Sequence, residues 1–442
     1  MNIVMIGTGY VGLTTGLGFA GLGHRVACVD IDTAKIAKLD RGEPTFYEPD
    51  LVEQLRHLQD QGQIVFTTEL ESVIGNADVL VLAVDTPPAI NGSADLSSVR
   101  AVASEIGRTL DHEVLIMTKS TVPVGTNRLI LEMIKEQLVQ DGKTDLAGLI
   151  HIASVPEFLR EGNALADFLS PDRIIIGADD EVVFATVEQM HAGIKSVFVR
   201  TTIESAELIK VCSNAFLATK ISFINEIANI AEGTGADVRE IARGIGLDKR
   251  IGPLFLRAGI GFGGSCFPKD VSALKSYAGV HGYEFKLLQA VIEVNNRQRE
   301  LFLKKICTRL RFIKGRKLAV WGLSFKENTD DIRDSAAIEI VQRLVGLGAE
   351  VSVYDPKAME NAKRILPDCV SYHQTAIDAA VGAEALVVLT QWPEFRTVSF
   401  ETLNSTMLDS IIFDGRNLLA DLDLPSLGFT YIGVGLCDSP QS

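Results

Sequence analysis

The stretch NIVMIGTGYVG (residues 2–12) is the strongest indication of fold class in this 442-residue chain. Residues 2–7 (NIVMIG) form a short β-branched run that ends in glycine, and Gly7 begins the spacing G-x-G-x-x-G. A Gly/Ala-rich segment continues to Leu22, and a second apolar run, RVACVD, ends at Asp30. This order predicts strand, glycine-rich turn, helix and strand, which is the opening βαβ unit of a doubly wound sheet.

In this context the glycine spacing indicates a dinucleotide site. Gly7 allows the tight turn, Gly9 lets the backbone approach a pyrophosphate, and Gly12 lets the helix pack closely. The Asp30 carboxylate can accept hydrogen bonds from both ribose hydroxyls, and its charge repels a 2′-phosphate. We therefore expect NAD rather than NADP. The alternative is a glycine-rich turn that binds no ligand.

A weak internal repeat predicts a second unit of the same kind. GLGHRVACVDID (21–32) resembles GLGAEVSVYDPK (346–357), and NADVLVLAVDTP (76–87) resembles GAEALVVLTQWP (382–393). Between these regions, residues 204–236 form a long helical pattern that is apolar on nearly every face. Such a helix is typical of one buried between domains or subunits.

We therefore expect an α/β protein with two Rossmann-like doubly wound parallel sheets joined by a long central helix. The expected domains are an N-terminal NAD-binding domain over 1–200, a central helical dimerisation region over 201–300, and a C-terminal domain over 315–442. The central helix is a candidate dimer axis, so a homodimer or a higher homo-oligomer is the expected assembly.

Composition narrows the classes of partner. The formal net charge of −15 argues against nucleic acid or an anionic membrane surface as the main partner. The sequence has neither an apolar run long enough to span a bilayer nor the pattern of a signal peptide at Met1, so we expect a cytoplasmic protein. The cysteines are scattered without metal-ligand spacing, which predicts free thiols and no metal. They stand at positions 28, 212, 266, 307, 369 and 437.

One cysteine stands in unusual surroundings, GIGFGGSCFPKD (259–270). The glycines let the backbone approach a ligand, Lys269 favours a thiolate at Cys266, and Asp270 can orient a group or accept a proton. Structural cysteines are commoner than catalytic ones. These residues alone leave two readings open, an inert packing residue and a nucleophile.

Lys210 and Asn214 are four residues apart in the long helical pattern and therefore share one helical face. An ammonium and an amide side by side can both donate to a developing oxyanion. The alternative is a lysine that extends its ammonium to solvent and an asparagine bonded to neighbouring backbone.

A nucleophilic thiol in a dehydrogenase indicates a particular reaction. Oxidising an alcohol to an aldehyde needs a hydride acceptor and a base, and no covalent nucleophile. An aldehyde gives up a second hydride only after something adds to its carbonyl. A thiolate does this, because the thiohemiacetal it forms can be oxidised to a thioester that water cleaves. Cys266 therefore predicts a four-electron oxidation of an alcohol to an acid.

Over nearly its whole length the chain resembles the family of nucleotide-sugar 6-dehydrogenases, the UDP-glucose/GDP-mannose dehydrogenase family. The motifs that carry the resemblance are GTGYVGL (7–13), KSTVPVGT (119–126), PEFLREG (156–162), SPDRIIIG (170–177), AELIKVCSNAFLATKISFINE (206–226), GFGGSCFPKD (261–270), GLSFKENTDDIRDS (322–335) and DGR (414–416). The family implies NAD as cofactor and UDP-glucose as substrate.

The resemblance also implies roles for individual residues. The implied catalytic residues are the nucleophile Cys266, the oxyanion donors Lys210 and Asn214, the water-placing residues Asp270 and Thr121, and the acid or base Glu157. The implied NAD contacts are Gly7, Gly9, Tyr10, Val11, Gly12, Asp30, Lys35, Thr86, Thr121, Glu161 and Arg333. The implied substrate contacts are Glu157, Phe158, Leu159, Arg160, Lys210, Asn214, Arg250 (reaching into a neighbouring subunit's site), Phe255, Arg257, Gly263, Lys326 and Arg416.

Three positions depart from the family pattern: Asp85 replaces a usual glycine, Val155 a common asparagine, and Arg257 a frequent lysine. Asp85 lies in the loop expected near the cofactor. Three other functions remain open. They are the same chemistry on GDP-mannose or UDP-N-acetylmannosamine, a two-electron hydroxyacid dehydrogenase, and a catalytically silent NAD-sensing protein.

Overall fold

The computed structural model describes residues 1–89 and 92–436. The chain divides into two compact units. The first comprises Met1–Ser213 and Ser272–His281, and the second comprises Asn214–Val271 and the chain from Gly282 onward. Each unit contains one sheet, and the predicted α/β fold with two Rossmann-like sheets and a long central helix is confirmed.

The first unit is built on an eight-stranded sheet in the order β3-β2-β1-β4-β5-β6-β7-β8. Its strands are β1 (Asn2–Ile6), β2 (Arg25–Val29), β3 (Ile64–Thr67), β4 (Val79–Leu82), β5 (Leu115–Thr118), β6 (His151–Ser154), β7 (Arg173–Gly177) and β8 (Val197–Thr201). Its helices are α1 (Tyr10–Gly21), α2 (Thr33–Asp40), α3 (Leu51–Asp60), α4 (Glu71–Ile74), α5 (Ser97–Thr109), α6 (Thr126–Gln140), α7 (Thr144–Ala147), α8 (Ala164–Leu169) and α9 (Glu181–Met190).

Alternation along β1 explains why helices cover both faces of this sheet. Ile3 and Met5 pack into one apolar cluster with residues of α1, whereas Val4 and Ile6 pack into another with residues of α5 and α6. Successive side chains of a strand point to opposite faces, so a run that is apolar at every position must be buried on both. The sheet departs from the expected parallel pattern only where β6 meets β7, which run antiparallel.

The long helix α10 (Ile203–Thr234) begins in the first unit and ends in the second. It ends directly before Gly235, whose φ of +82° favours glycine. Within the single chain Phe216, Phe223 and Ile230 of this helix are exposed, and burial of the helix between subunits stays a prediction.

The second unit is built on a six-stranded parallel sheet in the order β11-β10-β9-β12-β13-β14. Its strands are β9 (Lys317–Trp321), β10 (Glu350–Tyr354), β11 (Ser371–Tyr372), β12 (Ala385–Val388), β13 (Ile411–Asp414) and β14 (Thr430–Ile432). The remaining helices are α11 (Val238–Gly246), α12 (Phe267–Val280), α13 (Lys286–Leu310), α14 (Ala336–Gly346), α15 (Met359–Ala362), α16 (Ala376–Ala380) and α17 (Phe400–Thr406), with 3-10 turns at Pro393–Arg396 and Pro425–Leu427.

Within the described residues, no helix is both long and apolar enough to cross a membrane. The same residues contain no cluster of three or more His, Cys, Asp or Glu side chains that could hold a metal ion. Five cysteines there are free thiols, and Cys437 lies outside the described part of the chain.

Candidate active site

The glycine-rich turn joins β1 to α1, and its glycines are required by the backbone. Gly7 has φ +99°, and a Cβ atom there would lie 2.5 Å from the Ala83 carbonyl oxygen. A Cβ atom on Gly12 would lie 1.9 Å from the Gly7 carbonyl oxygen. Gly9 precedes α1 in an extended conformation, and no side chain caps this described helix. The turn therefore offers backbone amides and the positive end of the helix dipole to an anion.

Asp30 follows β2 and lies beside this turn. Its Oδ2 accepts hydrogen bonds from Thr8 N at 2.9 Å, Thr8 Oγ1 at 2.7 Å and Lys35 Nζ at 2.8 Å. Burial raises the pKa of Asp30, but the hydrogen bonds from Lys35 and Thr8 outweigh it, so its pKa lies below the ordinary value. Asp30 is therefore a carboxylate at neutral pH, as a ribose acceptor must be.

The loops after β4 and β5 meet next to the turn. Thr86 Oγ1 donates to the Thr121 carbonyl oxygen at 2.8 Å, which brings together two predicted site residues. Asp85 is exposed, and its Oδ1 lies 3.7 Å from the position that a Cβ atom on Gly9 would occupy. The unusual carboxylate thus faces the glycine turn. Val155, the other departure in this unit, is fully buried in the apolar core and has no place in the site.

A buried ion pair lies where the chain leaves β6. Lys210 Nζ on α10 is 2.8 Å from Glu157 Oε1, and Glu157 Oε2 accepts from Leu159 N at 2.6 Å. The Phe158 ring lies 5.4 Å from Lys210 Nζ and 3.8 Å from the Arg173 guanidinium. The fold thus brings three predicted residues together in the first unit.

A second buried lysine, Lys119, follows β5 and was not predicted as a site residue. Burial lowers the pKa of Lys119 to about 8, which the Glu157 carboxylate opposes and the Lys210 ammonium reinforces. The one available signal was its place at the start of the motif KSTVPVGT. Sequence gave no indication that it would be buried close to two other charges.

In the second unit, Asn214 and Asp270 form a buried pair. Asn214 Nδ2 donates to Asp270 Oδ2 at 2.6 Å, and Lys269 Nζ lies 3.0 Å from Asp270 Oδ1. Asp270 N donates to the Cys266 carbonyl oxygen at 2.9 Å. Cys266 is therefore the residue that immediately precedes α12. A thiol at a helix N-terminus has its thiolate form favoured by the helix dipole.

The glycines before Cys266 are needed for packing within the protein. A Cβ atom on Gly263 would lie 2.2 Å from the Asp334 carbonyl oxygen, and one on Gly264 would lie 2.6 Å from the Phe325 ring. Gly264 N donates to the Arg333 carbonyl oxygen at 3.0 Å. We expect these glycines to let a ligand approach the backbone. The structure adds a second reason for glycine here, which is close contact with residues 325–335.

Arg416 lies beside the same loop. Its guanidinium donates to the carbonyl oxygens of Gly261 at 2.9 Å, Leu389 at 3.0 Å and Phe325 at 3.3 Å. Burial lowers the pKa of Arg416 to about 10, so it stays charged at neutral pH. Lys326 Nζ lies 5.6 Å from the Phe325 ring, on the same segment.

Several predicted binding cations are paired with nearby carboxylates. Arg160 forms a bidentate pair with Asp167, and Arg250 and Arg333 pair in the same way with Asp248 and Asp331. The structure gives the following positions for other predicted binding residues. Arg257 is exposed, Glu161 is buried, Tyr10 and Val11 begin α1, and Phe255 has φ +64°. Of these positions, Arg333 accepts from Gly264 N through its carbonyl oxygen, and the Phe255 ring lies 6.1 Å from the Phe267 ring, next to Cys266.

The second sheet has lost the dinucleotide turn of the first. Asp355, the counterpart of Asp30, is fully buried and accepts hydrogen bonds from Leu323 N at 2.7 Å, Ser324 N at 3.0 Å and Trp392 Nε1 at 3.1 Å. A carboxylate with these partners is not available to a ribose.

The ionised acid beside a glycine turn and the thiol at a helix N-terminus place this protein among the NAD-dependent oxidoreductases. The chain belongs to the UDP-glucose/GDP-mannose dehydrogenase family. It matches the family's NAD binding domain over residues 1–195, its central domain over 204–297 and its UDP binding domain over 319–421.

Individual relatives are similar along the whole chain. The chain is 44% identical over 435 residues to the UDP-glucose 6-dehydrogenase YwqF of Bacillus subtilis, covering 98% of each chain. It is 44% identical over 448 residues to a UDP-glucose 6-dehydrogenase of Rhizobium meliloti, covering 99% of this chain and 100% of that one. The solved UDP-glucose dehydrogenase from Pyrobaculum islandicum is 36% identical with a TM-score of 0.90, covering 98% of each chain.

Proposed function

We propose that the chain oxidises UDP-glucose to UDP-glucuronate, with two NADH formed per substrate. The observation that carries this proposal is the position of Cys266 directly before α12. Asp270, one helical turn further along, forms the buried pair with Asn214. The full-length relatives named as UDP-glucose 6-dehydrogenases support the choice of substrate.

NAD fits the first unit. The turn at Gly7, Gly9 and Gly12 leaves no room for a Cβ atom on two of these residues, and Asp30 is ionised beside it. We assign the remaining contacts to Tyr10, Val11, Lys35, Thr86, Thr121, Glu161 and Arg333. NAD, when bound, supplies the acceptor for the hydride in each of the two oxidations.

The residues of the chain have the following roles in the proposed reaction. The Cys266 thiolate adds to the C6 carbonyl of the aldehyde and forms a thiohemiacetal. Lys210 and Asn214 donate to the oxygen that becomes negative in this step. After the second oxidation a thioester links C6 to Cys266, and a water placed by Asp270 and Thr121 cleaves it to the acid and the free thiol. Glu157, in contact with Lys210, exchanges the proton of the C6 hydroxyl.

The nucleotide sugar is assigned to the remaining predicted contacts. They are Phe158, Leu159, Arg160, Arg250, Phe255, Arg257, Gly263, Lys326 and Arg416. Arg416 is the best supported, since its half-buried guanidinium donates to the Gly261 carbonyl oxygen in the loop that leads to Cys266. Arg160, Arg250 and Arg333 would have to exchange their carboxylate partners for a ligand.

The stoichiometry of NADH tests this function. A limiting amount of UDP-glucose is consumed with excess NAD, and NADH is measured by absorbance. Two NADH per UDP-glucose is the expected yield, whereas one NADH with an aldehyde product would support a two-electron hydroxyacid-type reaction. No NADH with any nucleotide sugar would support the silent NAD-sensing alternative.

The same chemistry on GDP-mannose or UDP-N-acetylmannosamine is the second candidate. We favour UDP-glucose because NAFLATKISFINE (214–226) and GFGGSCFPKD (261–270) resemble that subgroup. Turnover of one of the other two sugars beside inactivity with UDP-glucose would reverse this choice.

We further infer a homodimer formed through α10. Phe216, Phe223 and Ile230 are 66%, 53% and 60% exposed and stand seven residues apart, so they form one apolar stripe along the helix. Exposed stripes of this kind are typical of helix pairing. We also propose a cytoplasmic location and the division into domains over 1–200, 201–300 and 315–442. The family matches over 1–195, 204–297 and 319–421 support that division.

A further inference from the structure

The loop 259–264, which leads to Cys266, is held by an asparagine that the sequence did not single out. Asn295 lies on α13 and is 4% exposed. Its Oδ1 accepts a hydrogen bond from Phe262 N at 2.8 Å, and its Nδ2 donates one to the Phe262 carbonyl oxygen at 3.0 Å. One side chain thus fixes both backbone polar groups of a single loop residue.

A neighbouring arginine reinforces this contact. Arg299, one turn further along α13, donates from Nη2 to the same Phe262 oxygen at 2.9 Å and from Nη1 to Glu339 at 2.6 Å. Gly261 has φ +95°, and a Cβ atom there would lie 2.6 Å from Asn295 Oδ1. The glycine before Phe262 is therefore needed for Asn295 to approach the loop.

We propose that Asn295 is a positioning residue for Cys266, an inference that rests on the proposed function. The loop is rich in glycine and has few side chains of its own to fix its path. Bonds to both groups of Phe262 set the direction in which the chain enters α12, and Cys266 is the residue immediately before that helix. A reacting atom displaced by about 1 Å can lose on the order of a hundredfold in rate.

The test compares two leucine variants on one helix. Asn295→Leu keeps the branched shape and the number of non-hydrogen side-chain atoms, and it removes both bonds to Phe262. Gln298→Leu is the matched control, because Gln298 is also on α13, is 2% exposed and accepts a partly buried hydrogen bond from Asn229 at 3.0 Å. The control loses a hydrogen bond of a buried side chain without contacting the loop. Thermal unfolding and circular dichroism of both variants measure the structural cost.

Two readouts report on the thiol. The first is kcat and KM for UDP-glucose and for NAD. The second is alkylation of Cys266 by iodoacetamide, followed by mass spectrometry on the tryptic peptide 258–269, which contains no other cysteine. Exposed Cys369 serves as the internal reference. Alkylation does not depend on the substrate, so it tests the positioning role even if the proposed function fails.

Asn295→Leu is expected to lower kcat by about ten- to a hundredfold with KM for NAD unchanged, and to shift the relative alkylation rate of Cys266. Gln298→Leu should retain the wild-type kcat and the wild-type alkylation rate of Cys266, although it loses about as much stability as Asn295→Leu. Wild-type kcat and alkylation in folded Asn295→Leu, or equal losses in the two variants, would overturn the proposal. If Asn295→Leu does not fold, Asn295→Ala is judged by the same outcomes.

Discussion

Glu157 and Lys210 form an ion pair in which each side chain is only 4% exposed, although 53 residues separate them along the chain. A third buried group, the Lys119 ammonium, interacts electrostatically with both. Burial lowers the pKa of Lys119 to about 8, the Lys210 ammonium lowers it further, and the Glu157 carboxylate opposes this shift.

Lys119→Met should change how stability depends on pH. Burial lowers the pKa of Lys119 from 10.5 to about 8 in the folded state, so between these two pH values the unfolded chain binds more protons than the folded one. Stability from this group therefore rises with pH across that window. Lys119→Met should abolish the rise and raise the free energy of unfolding at pH 7 by about 1 to 3 kcal/mol.

Urea unfolding at pH 7.5 and pH 9.5 measures this effect. Lys195→Met, an exposed lysine of the same unit, is the control and should keep the wild-type difference between the two pH values. An unchanged pH dependence in Lys119→Met would show that Lys119 is protonated throughout the window.

Cys266→Ser should prevent formation of the acid. An alcohol adds to the aldehyde much less readily than a thiolate does, and serine has no comparable ionised form at neutral pH. We expect no UDP-glucuronate by mass spectrometry, with NAD affinity unchanged. Cys212→Ser is the control, because Cys212 is an exposed thiol of α10 that is given no role here. Acid formed by Cys266→Ser at the wild-type rate would eliminate the thioester route.

The parts of the site that sequence predicted depend on local spacing. Gly7, Gly9 and Gly12 lie within one turn and Asp30 ends the next strand, so the geometry follows once the βαβ unit is recognised. The Asn214–Asp270 pair was predicted only as two separate roles within recognised motifs. For each of these residues, the short segment that contains it was enough to predict a role.

The parts that sequence did not predict depend on packing between distant segments. Lys119 becomes a buried charge only because the loop after β5 and the helix α10 meet near Glu157. Asn295 contacts Phe262 across 33 residues, and nothing in VNNRQ (294–298) marks one asparagine of the two. The pairs of Arg160, Arg250 and Arg333 with nearby carboxylates were missed for another reason, since a motif match names a residue without naming its competing partners.

Phe223→Asp should separate the proposed dimer. The residue is central in the exposed stripe of α10. A carboxylate there removes apolar burial from the interface and repels the same carboxylate of the second copy. Sedimentation should show a monomer for this variant and a dimer for the wild type. Leu408→Asp, at a more exposed apolar residue outside α10, should remain a dimer. A wild-type monomer at micromolar concentration would disprove the assembly directly.

Asp85→Gly should strengthen NAD binding. The Oδ1 atom of the exposed Asp85 lies 3.7 Å from the Cβ position of Gly9, in the turn that is proposed to bind the pyrophosphate. A negative charge there repels the two phosphates, and an exposed pair at this range is worth about 1 kcal/mol. We expect KM for NAD to fall by roughly three- to tenfold, with Asp85→Asn giving a similar change. Asp111→Asn, an exposed acid of the same unit, is the charge-matched control. A higher KM in both Asp85 variants would mean that the carboxylate accepts a hydrogen bond from the cofactor, and the repulsion argument would be wrong.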